Sequence, residues 1–320
     1  MISYTTFIGI DVSKEHLDVH ILPSNKRFRL ENSKSGCAKL CRQLAKLQEP
    51  AAGVEASGGY ERLALRTLTA AGIDSFCFDP VQVRAYSRSR GQRAKTDAID
   101  AEMIARCLTQ NHETVRPYIH DPVTGELAEL VAFRTRLVKE ATKLKCQIEQ
   151  AETALVIRIL KAQKRQVKAR IALLSKAIAD TIKSSPELSH KVEIMRSMPG
   201  VGPVLSSTLL ARLPELGRLE GREISALAGL APFACESGKS KRPGRCQAGR
   251  GDIRSVLYMA ALSAIRMKAH PLTSFAERLQ KSGKPFKVVI VAVMRKMITI
   301  LNAMVRDAKN WQQNAPQKAS

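Results

Sequence analysis

The stretch that decides the fold is FIGIDVSKEHLDVHIL, residues 7–22. Phe7 to Val12 has the branched and aromatic content of a sheet segment, Ser13, Lys14 and Glu15 interrupt it, and Leu17, Val19, Ile21 and Leu22 resume the alternation. The spacing predicts a β-hairpin. In the middle of its first strand stands Asp11, and a carboxylate in a strand that feeds a core is costly unless something binds it. Asp18, beyond the turn, is read as a solvent-facing residue of the second strand.

Outward from the hairpin, KRFRLEN (26–32) suits a third strand, SGCAKLCRQLAKL (35–47) an amphipathic helix and AAGVEAS (51–57) a strand. YERLALRTLTAAG (60–72) reads as a helix ending on Gly72, and DSFCFDP (74–80) as a short strand stopped by Pro80. Three strands, then helix, strand, helix, strand and helix, predict an α/β domain with a mixed sheet over residues 1–122.

Between Glu126 and Ser185 there is neither glycine nor proline, and apolar residues recur at three- and four-residue spacing. Leu127, Leu130, Leu137, Leu144 and Ile148 follow one stripe, Leu160, Val167, Leu174 and Ile178 another. Residues 123–189 are therefore read as a helical hairpin or coiled coil used for dimerisation, with two helices packed on a core as the alternative. Residues 190–307 form a second, mainly helical domain. It opens on MRSMPGVGPVLSSTLLARL (195–213), a helix, a tight turn and a helix. In a helix-hairpin-helix, Gly200 and Gly202 would let backbone N–H groups face a phosphate; the plainer reading is a helix-helix corner. KVVIVAVMRKMITILNAMV (287–305) is apolar on almost every side and is read as a buried core helix, and residues 308–320 as a disordered tail.

The formal net charge is +23, far from the mixed charge of a metabolic enzyme, and points to a polyanionic partner, nucleic acid first. The first residues lack the layout of a secretory signal and no membrane span is expected, so a cytoplasmic, nucleoid-associated location follows. Seven scattered cysteines without a Cys-x-x-Cys indicate neither a disulfide framework nor a zinc knuckle, and most are read as buried small hydrophobes.

Four acids stand out by position: Asp11, Glu55 at the end of its strand, and Asp97 with Asp100 in KTDAIDAEMIARCL (95–108). Residues three apart share a helix face, so Asp97 and Asp100 can point at one place, with Thr96 near the helix start. Glu55, followed by Ser57, Gly58 and Gly59, would lie at the carboxyl end of its strand, where active sites of α/β sheets gather. Carboxylates from two strands and a helix repel one another unless a cation joins them. Mg²⁺ takes oxygen ligands, and two such ions clamp the attacking and leaving oxygens of a phosphodiester. The plainer reading makes each acid a helix cap or a surface partner of an arginine.

Two basic runs flank reactive-looking groups. VRAYSRSRGQRAK (83–95) sets Arg88, Arg90, Arg93 and Lys95 just before Asp97, and the loop ACESGKSKRPGRCQAGRGDIR (234–254) holds Lys239, Lys241, Arg242, Arg245, Arg250 and Arg254. Without interleaved aromatics the 234–254 loop suits a sugar-phosphate backbone rather than base reading, the 83–95 run would draw phosphate toward the acids, and the plainer reading of both is a solvated basic face. Ser237 and Ser240 within the loop are candidate nucleophiles that would need activation from outside it.

With GIDVSKEHLDVHIL (9–22), GVEASGGY (53–60), KTDAIDAEMIA (95–105), MPGVGPVLSSTLLA (198–211), LAGLAPF (227–233) and ESGKSKRPGR (236–245) in this order, the chain resembles a DEDD-type transposase of the insertion sequence 110 family over residues 7 to about 306. The resemblance implies a RuvC-like, RNase H-related domain followed by the family's own helical transposase domain. It implies that Asp11, Glu55, Asp97 and Asp100 bind Mg²⁺ and that Ser237 forms a transient covalent link to a DNA phosphate. It further implies a structured noncoding guide (bridge) RNA pairing with target and donor DNA, and dimers joined as tetramers in which one subunit's serine meets another's acids. Cys235 departs from the family pattern, where an aromatic residue often stands. Two rival readings are a Holliday-junction-type metal-dependent nuclease without serine chemistry and a non-catalytic nucleic-acid-binding protein.

Overall fold

The computed structural model describes residues 4–91, 97–119, 121–237, 240–246, 249–268 and 271–311, with backbone placement alone at 97–98, 233–237 and 240–245. The chain divides into two compact units, Met1–Asp121 and Pro122–Ser320.

The first unit opens with β1 (Thr6–Val12), β2 (His16–Leu22) and β3 (Lys26–Glu31), an antiparallel run whose first turn is closed by the Ser13 N–H donating to the His16 carbonyl (2.9 Å). Helix α1 (Lys34–Leu44) follows, capped by the Ser33 hydroxyl accepting from the Gly36 N–H. Then come β4 (Pro50–Glu55), α2 (Arg62–Ala70) and β5 (Asp74–Phe78). The sheet order is β3-β2-β1-β4-β5, with β1, β4 and β5 parallel, so the mixed sheet expected from the sequence is present. Pro80 does more than stop β5. Asp79 caps the following helix α3 (Pro80–Ser89) in a reciprocal capping box, with Pro80 in its first turn. Helix α4 (Asp97–Asn111) completes the unit.

Strand alternation divides the core between the two sheet faces. Ile8, Ile10, Val12, Ala52 and Val54 pack with Leu40, Leu44, Leu65 and Leu68 of α1 and α2. Ala51, Phe76 and Phe78 pack with Val83, Ile104, Cys107 and Leu108 on the other face. There α4 lies so close to the sheet that a Cβ on Gly9 would overlap the Ala101 carbonyl and the Ala105 N–H, and one on Gly53 would press on Ile104 and Phe78.

The second unit begins with α5 (Pro122–Gln150) and α6 (Ala154–Lys183), joined by three residues and packed antiparallel: Leu127 and Val131 share a cluster with Ile178, and Leu137 and Leu144 one with Val167 and Leu160. The remainder is α7 (Pro186–Arg196), α8 (Pro203–Arg212), α9 (Gly221–Leu227), strands β6 (Pro232–Ser237) and β7 (Ser240–Cys246), α10 (Gly251–Arg266), α11 (Leu272–Lys281) and α12 (Phe286–Arg306). The segment read as a loop from 234 to 254 is instead an antiparallel β6–β7 hairpin followed by the start of α10. Its local sequence, with Pro243 and Gly244, carries no strand signal, and pairing to its neighbour supplies what propensity does not.

Helix α12 is the one described helix long and apolar enough to cross a membrane, and it sits in the core with Val293, Met297, Ile298 and Leu301 fully buried. Its Asn302 is buried too, accepting from the Gly217 N–H (2.8 Å) and donating to the Leu219 carbonyl (2.7 Å). The expected disorder after Ala308 does not begin there. Trp311 packs on this core and its backbone N–H donates to the Ser197 hydroxyl (2.8 Å); residues 312–320 lie outside the described ones.

Candidate active site

Strands β1 and β4 run parallel in the register Ile10↔Val54, so Asp11 and Glu55 follow as neighbours at the carboxyl ends of the two strands. Alternation puts Asp11 on the side of Gly9 and Glu55 on the side of Gly53, the face on which α4 lies. The direction of α4 is fixed at its far end. His112, just past the helix, packs tilted against Phe7 (5.3 Å between ring centroids) and edge-on to Tyr4 (5.7 Å) at the start of β1. The amino-terminal end of α4, with Asp97 and Asp100, therefore lies toward the strand ends that carry Asp11 and Glu55. Asp11, Glu55 and Asp100 are partly buried. The side chain of Asp97 lies outside the described ones, as does Thr96, and among the described residues no three acidic, histidine or cysteine side chains are grouped closely enough to hold a metal ion. The donor set brought to this face is all carboxylate oxygen, the chemistry that suits a hard divalent cation.

Asp18 is not the solvent-facing residue its place after the turn suggested. It is the register partner of Asp11, its side chain is only 14% exposed, and Arg29 of β3 binds both its oxygens (2.8 and 3.0 Å). Two carboxylates side by side on adjacent strands repel, and the bidentate guanidinium neutralises the second. A further network lies beside it: Arg27 pairs with Glu102 of α4, which also binds Arg106, and the Arg27 Nε–H donates to Nδ1 of the fully buried His20 (2.9 Å). Burial foremost holds the His20 imidazole below its usual pKa. Its Nε2 has no hydrogen-bond partner among the described residues.

Two residues that sequence reasoning missed tie down the loops beyond the acids. The Asn32 amide donates to the carbonyls of Ser13 (2.8 Å) and Tyr60 (3.1 Å), bridging the turn after β1 to the loop after β4. The Glu61 carboxylate accepts from the N–H groups of Ser57 (3.0 Å) and Gly59 (2.8 Å), and the Ser57 hydroxyl donates to the Glu55 carbonyl (3.0 Å). The signal was present for Glu61, a carboxylate following two glycines whose amides can form an anion-binding nest. For Asn32 there was none.

In the second unit Ser237 ends β6 and Ser240 begins β7, paired in register across the hairpin tip. Lys241, Arg242 and Arg245 lie on β7, opposite Glu236, Cys235 and Phe233; Lys239, like Arg93 and Lys95 of the first unit, lies outside the described residues. Arg88 and Arg90 are exposed at the end of α3. Arg250, read as a phosphate contact, is engaged internally: it grips Glu215 at both oxygens (2.7 and 2.8 Å) and donates to the Arg212 carbonyl (2.8 Å). Arg254 reaches the Ala228 carbonyl (3.5 Å). Gly200 owes its identity to packing, since at φ +86° a Cβ would lie 2.7 Å from the Ala260 carbonyl and 2.8 Å from the Ala264 N–H of α10, whereas Gly202 faces open space. Of the cysteines, Cys37, Cys41 and Cys107 are buried, and burial raises their thiol pKa; Cys77 is raised to about 11.

Comparison with known proteins agrees along the chain. Residues 8–157 match a transposase family profile, and residues 192–277 the profile of transposases of the IS116/IS110/IS902 family. The chain is 27% identical over 314 residues to the pilin gene-inverting protein of Moraxella bovis, covering 94% of this chain and 96% of that one. It is 29% identical over 203 residues to the insertion element IS116 uncharacterized 44.8 kDa protein of Streptomyces clavuligerus, covering 61% of this chain and 46% of that one. Among solved structures, T. thermophilus RuvC in complex with Holliday junction substrate aligns with 36% of this chain and all of its own at 17% identity, with a TM-score of 0.29. The chain belongs to the IS110 family of insertion-sequence transposases, enzymes that act on DNA.

Proposed function

We propose that this transposase is an RNA-guided recombinase that cleaves and exchanges DNA strands through a transient phosphoserine. Its amino-terminal unit is read as a RuvC-like domain whose carboxylates at Asp11, Glu55, Asp97 and Asp100 hold Mg²⁺. The observation that supports this most directly is the meeting of Asp11 and Glu55 on one sheet face with the amino-terminal end of α4. A divalent cation bound there would draw electron density from the scissile phosphate and stabilise charge on its oxygens.

In the proposed step the Ser237 Oγ attacks phosphorus. A new P–O bond to the serine forms as the bond to one deoxyribose oxygen breaks, the Oγ proton leaves through the carboxylate cluster, and the freed deoxyribose becomes a hydroxyl. Because one phosphoester replaces another, rejoining is the reverse attack by a deoxyribose hydroxyl, which releases the serine without an external energy source. The serine of one subunit serves the acids of another in a tetramer of paired dimers. The basic hairpin and the arginines near α4 hold backbone, while a noncoding RNA selects target and donor by base pairing.

The test is recombination between plasmids bearing the element's ends and a target, with protein–DNA adducts resolved on denaturing gels. Ser237→Ala should abolish the adduct and the product while leaving DNA binding within about twofold. Persistent cutting of junctions by that variant would favour the junction nuclease, and Asp11→Asn recombining like the parent would sink the metal reading. Sequencing RNA that copurifies with the protein tests the guide.

A further inference from the structure

Helix α6 has three distinct faces. At about 100° per residue, Leu160, Val167, Ile171 and Leu174 form one seam, and this seam packs on α5. Roughly 230° round the helix, Leu155, Ile159 and Leu173 stand 54, 49 and 69% exposed. Between these two, centred roughly 130° from the seam, runs a stripe of cations: Arg158, Lys161, Arg165, Lys168, Lys176 and Lys183. All six are exposed, and among the described residues none is in an ion pair.

The distribution is one-sided. Helix α6 carries eight Lys and Arg against Asp180 alone, about a third of the chain's formal +23, whereas its partner α5 mixes five cations with four acids. A face that needed charge only for solubility would intersperse both signs, as α5 does. Helix α6 contains no aromatic residue, so it offers unstacked bases no platform, which argues against single strands. From Arg158 to Lys183 the stripe is about 37 Å long, close to one turn of B-DNA, about 34–36 Å. The major groove of B-DNA is roughly 12 Å wide and admits a helix between its phosphate rims. That of A-form RNA is too deep and narrow to do so.

We propose that the Arg158–Lys183 face of α6 is a sequence-independent track for the backbone of duplex DNA. The apolar stripe lies about 100° away from it, so a second copy of the chain seated on Leu155, Ile159 and Leu173 would leave the basic face open. Each cation contributes by displacing condensed counterions from the phosphates, which makes its share readable as salt dependence.

The experiment uses the full chain in EDTA, so its outcome is independent of the metal and serine readings. Binding of a 40-base-pair duplex of arbitrary sequence is followed by anisotropy as salt is varied. The variant Lys161→Gln, Arg165→Gln, Lys168→Gln, Lys176→Gln is compared with an equal-charge control on α5, Arg136→Gln, Lys139→Gln, Lys143→Gln, Lys145→Gln. Circular dichroism and light scattering confirm the same helicity and assembly in all three proteins. The α6 variant should bind about tenfold or more weakly near 0.15 M salt, with a log–log salt slope shallower by about 3 to 4, and the control should keep the parent's slope. An equal loss in both variants would mean that only overall charge matters. No loss in either, or a loss confined to duplex RNA of the same length, would also overturn the proposal.

Discussion

Asp11 and Glu55 stand side by side at the carboxyl ends of parallel strands β1 and β4, on the sheet face against which α4 is laid. They are 44 positions apart along the chain. What joins them is the parallel pairing of their strands, and what brings Asp100 toward them is the close approach of α4 that Gly9 permits.

Gly9→Ala should therefore damage fold and site together. The added methyl has no room against the Ala101 carbonyl and the Ala105 N–H, and overpacking of this kind costs about 1–3 kcal/mol or more. Urea unfolding should show that loss, and the divalent-metal-dependent strand cleavage proposed above should fall further than the unfolded fraction explains. Gly58→Ala is the contrast: its Cβ would meet nothing, and only the strain of φ +71° is expected.

Asn32→Asp keeps the size of the side chain but replaces a donor facing two carbonyls with an acceptor. Stability should fall by about 1–3 kcal/mol. Because the bond links the loops beyond Asp11 and Glu55, the proposed metal-dependent cleavage should also require more metal for half-maximal rate, measured at a temperature where the variant is folded. An unchanged metal requirement would confine Asn32 to stability.

His20 gives the stability a pH dependence of known sign. Burial foremost, opposed by Glu102 and aided by Arg27 and Arg106, lowers the pKa of the folded imidazole, and the Arg27 Nε–H already occupies Nδ1. The unfolded chain takes up its proton near pH 6.5 and the folded chain only below that. The stabilisation is thus fully present above about pH 6.5 and is lost as pH falls toward the folded value, with a slope of at most about 1.4 kcal/mol per pH unit. Denaturation between pH 8 and 5 should show the parent converging on His20→Gln below pH 6.5, and parallel curves would contradict this assignment.

Arg250 and the α3 arginines should separate cleanly. Arg250→Met leaves Glu215 without its bidentate partner and is expected to lower stability by about 1–3 kcal/mol with little change in the salt slope of DNA binding. Arg88→Gln with Arg90→Gln should leave the melting temperature unchanged and make that slope shallower by about 0.9 per residue. Melting and anisotropy titrations on the same preparations decide it.

The strands and helices of residues 6–78 were legible because each carries its own periodicity and is bounded by glycine, proline or a cap. The β6–β7 hairpin was not, because Pro243 and Gly244 give it no local signal and strand pairing alone makes it. Asp18 was misplaced for a related reason: its position after a turn suggests solvent, while its exposure depends on β3 lying alongside and Arg29 reaching across. The basic residues looked alike in sequence, yet Arg250 is bound to Glu215 and Arg88 is exposed.

The sequence by itself determined the order of elements in the first unit, the positions of the acids, the long paired helices and the positive charge, since all of these follow from spacing and residue type. Only the tertiary structure decided which of them meet. Strand register made Asp11 the neighbour of Glu55 and the partner of Asp18, and the closeness of α4 to Gly9 oriented its acidic end toward them. Pairing and packing join residues far apart in the chain, and no local pattern records which partners they will find.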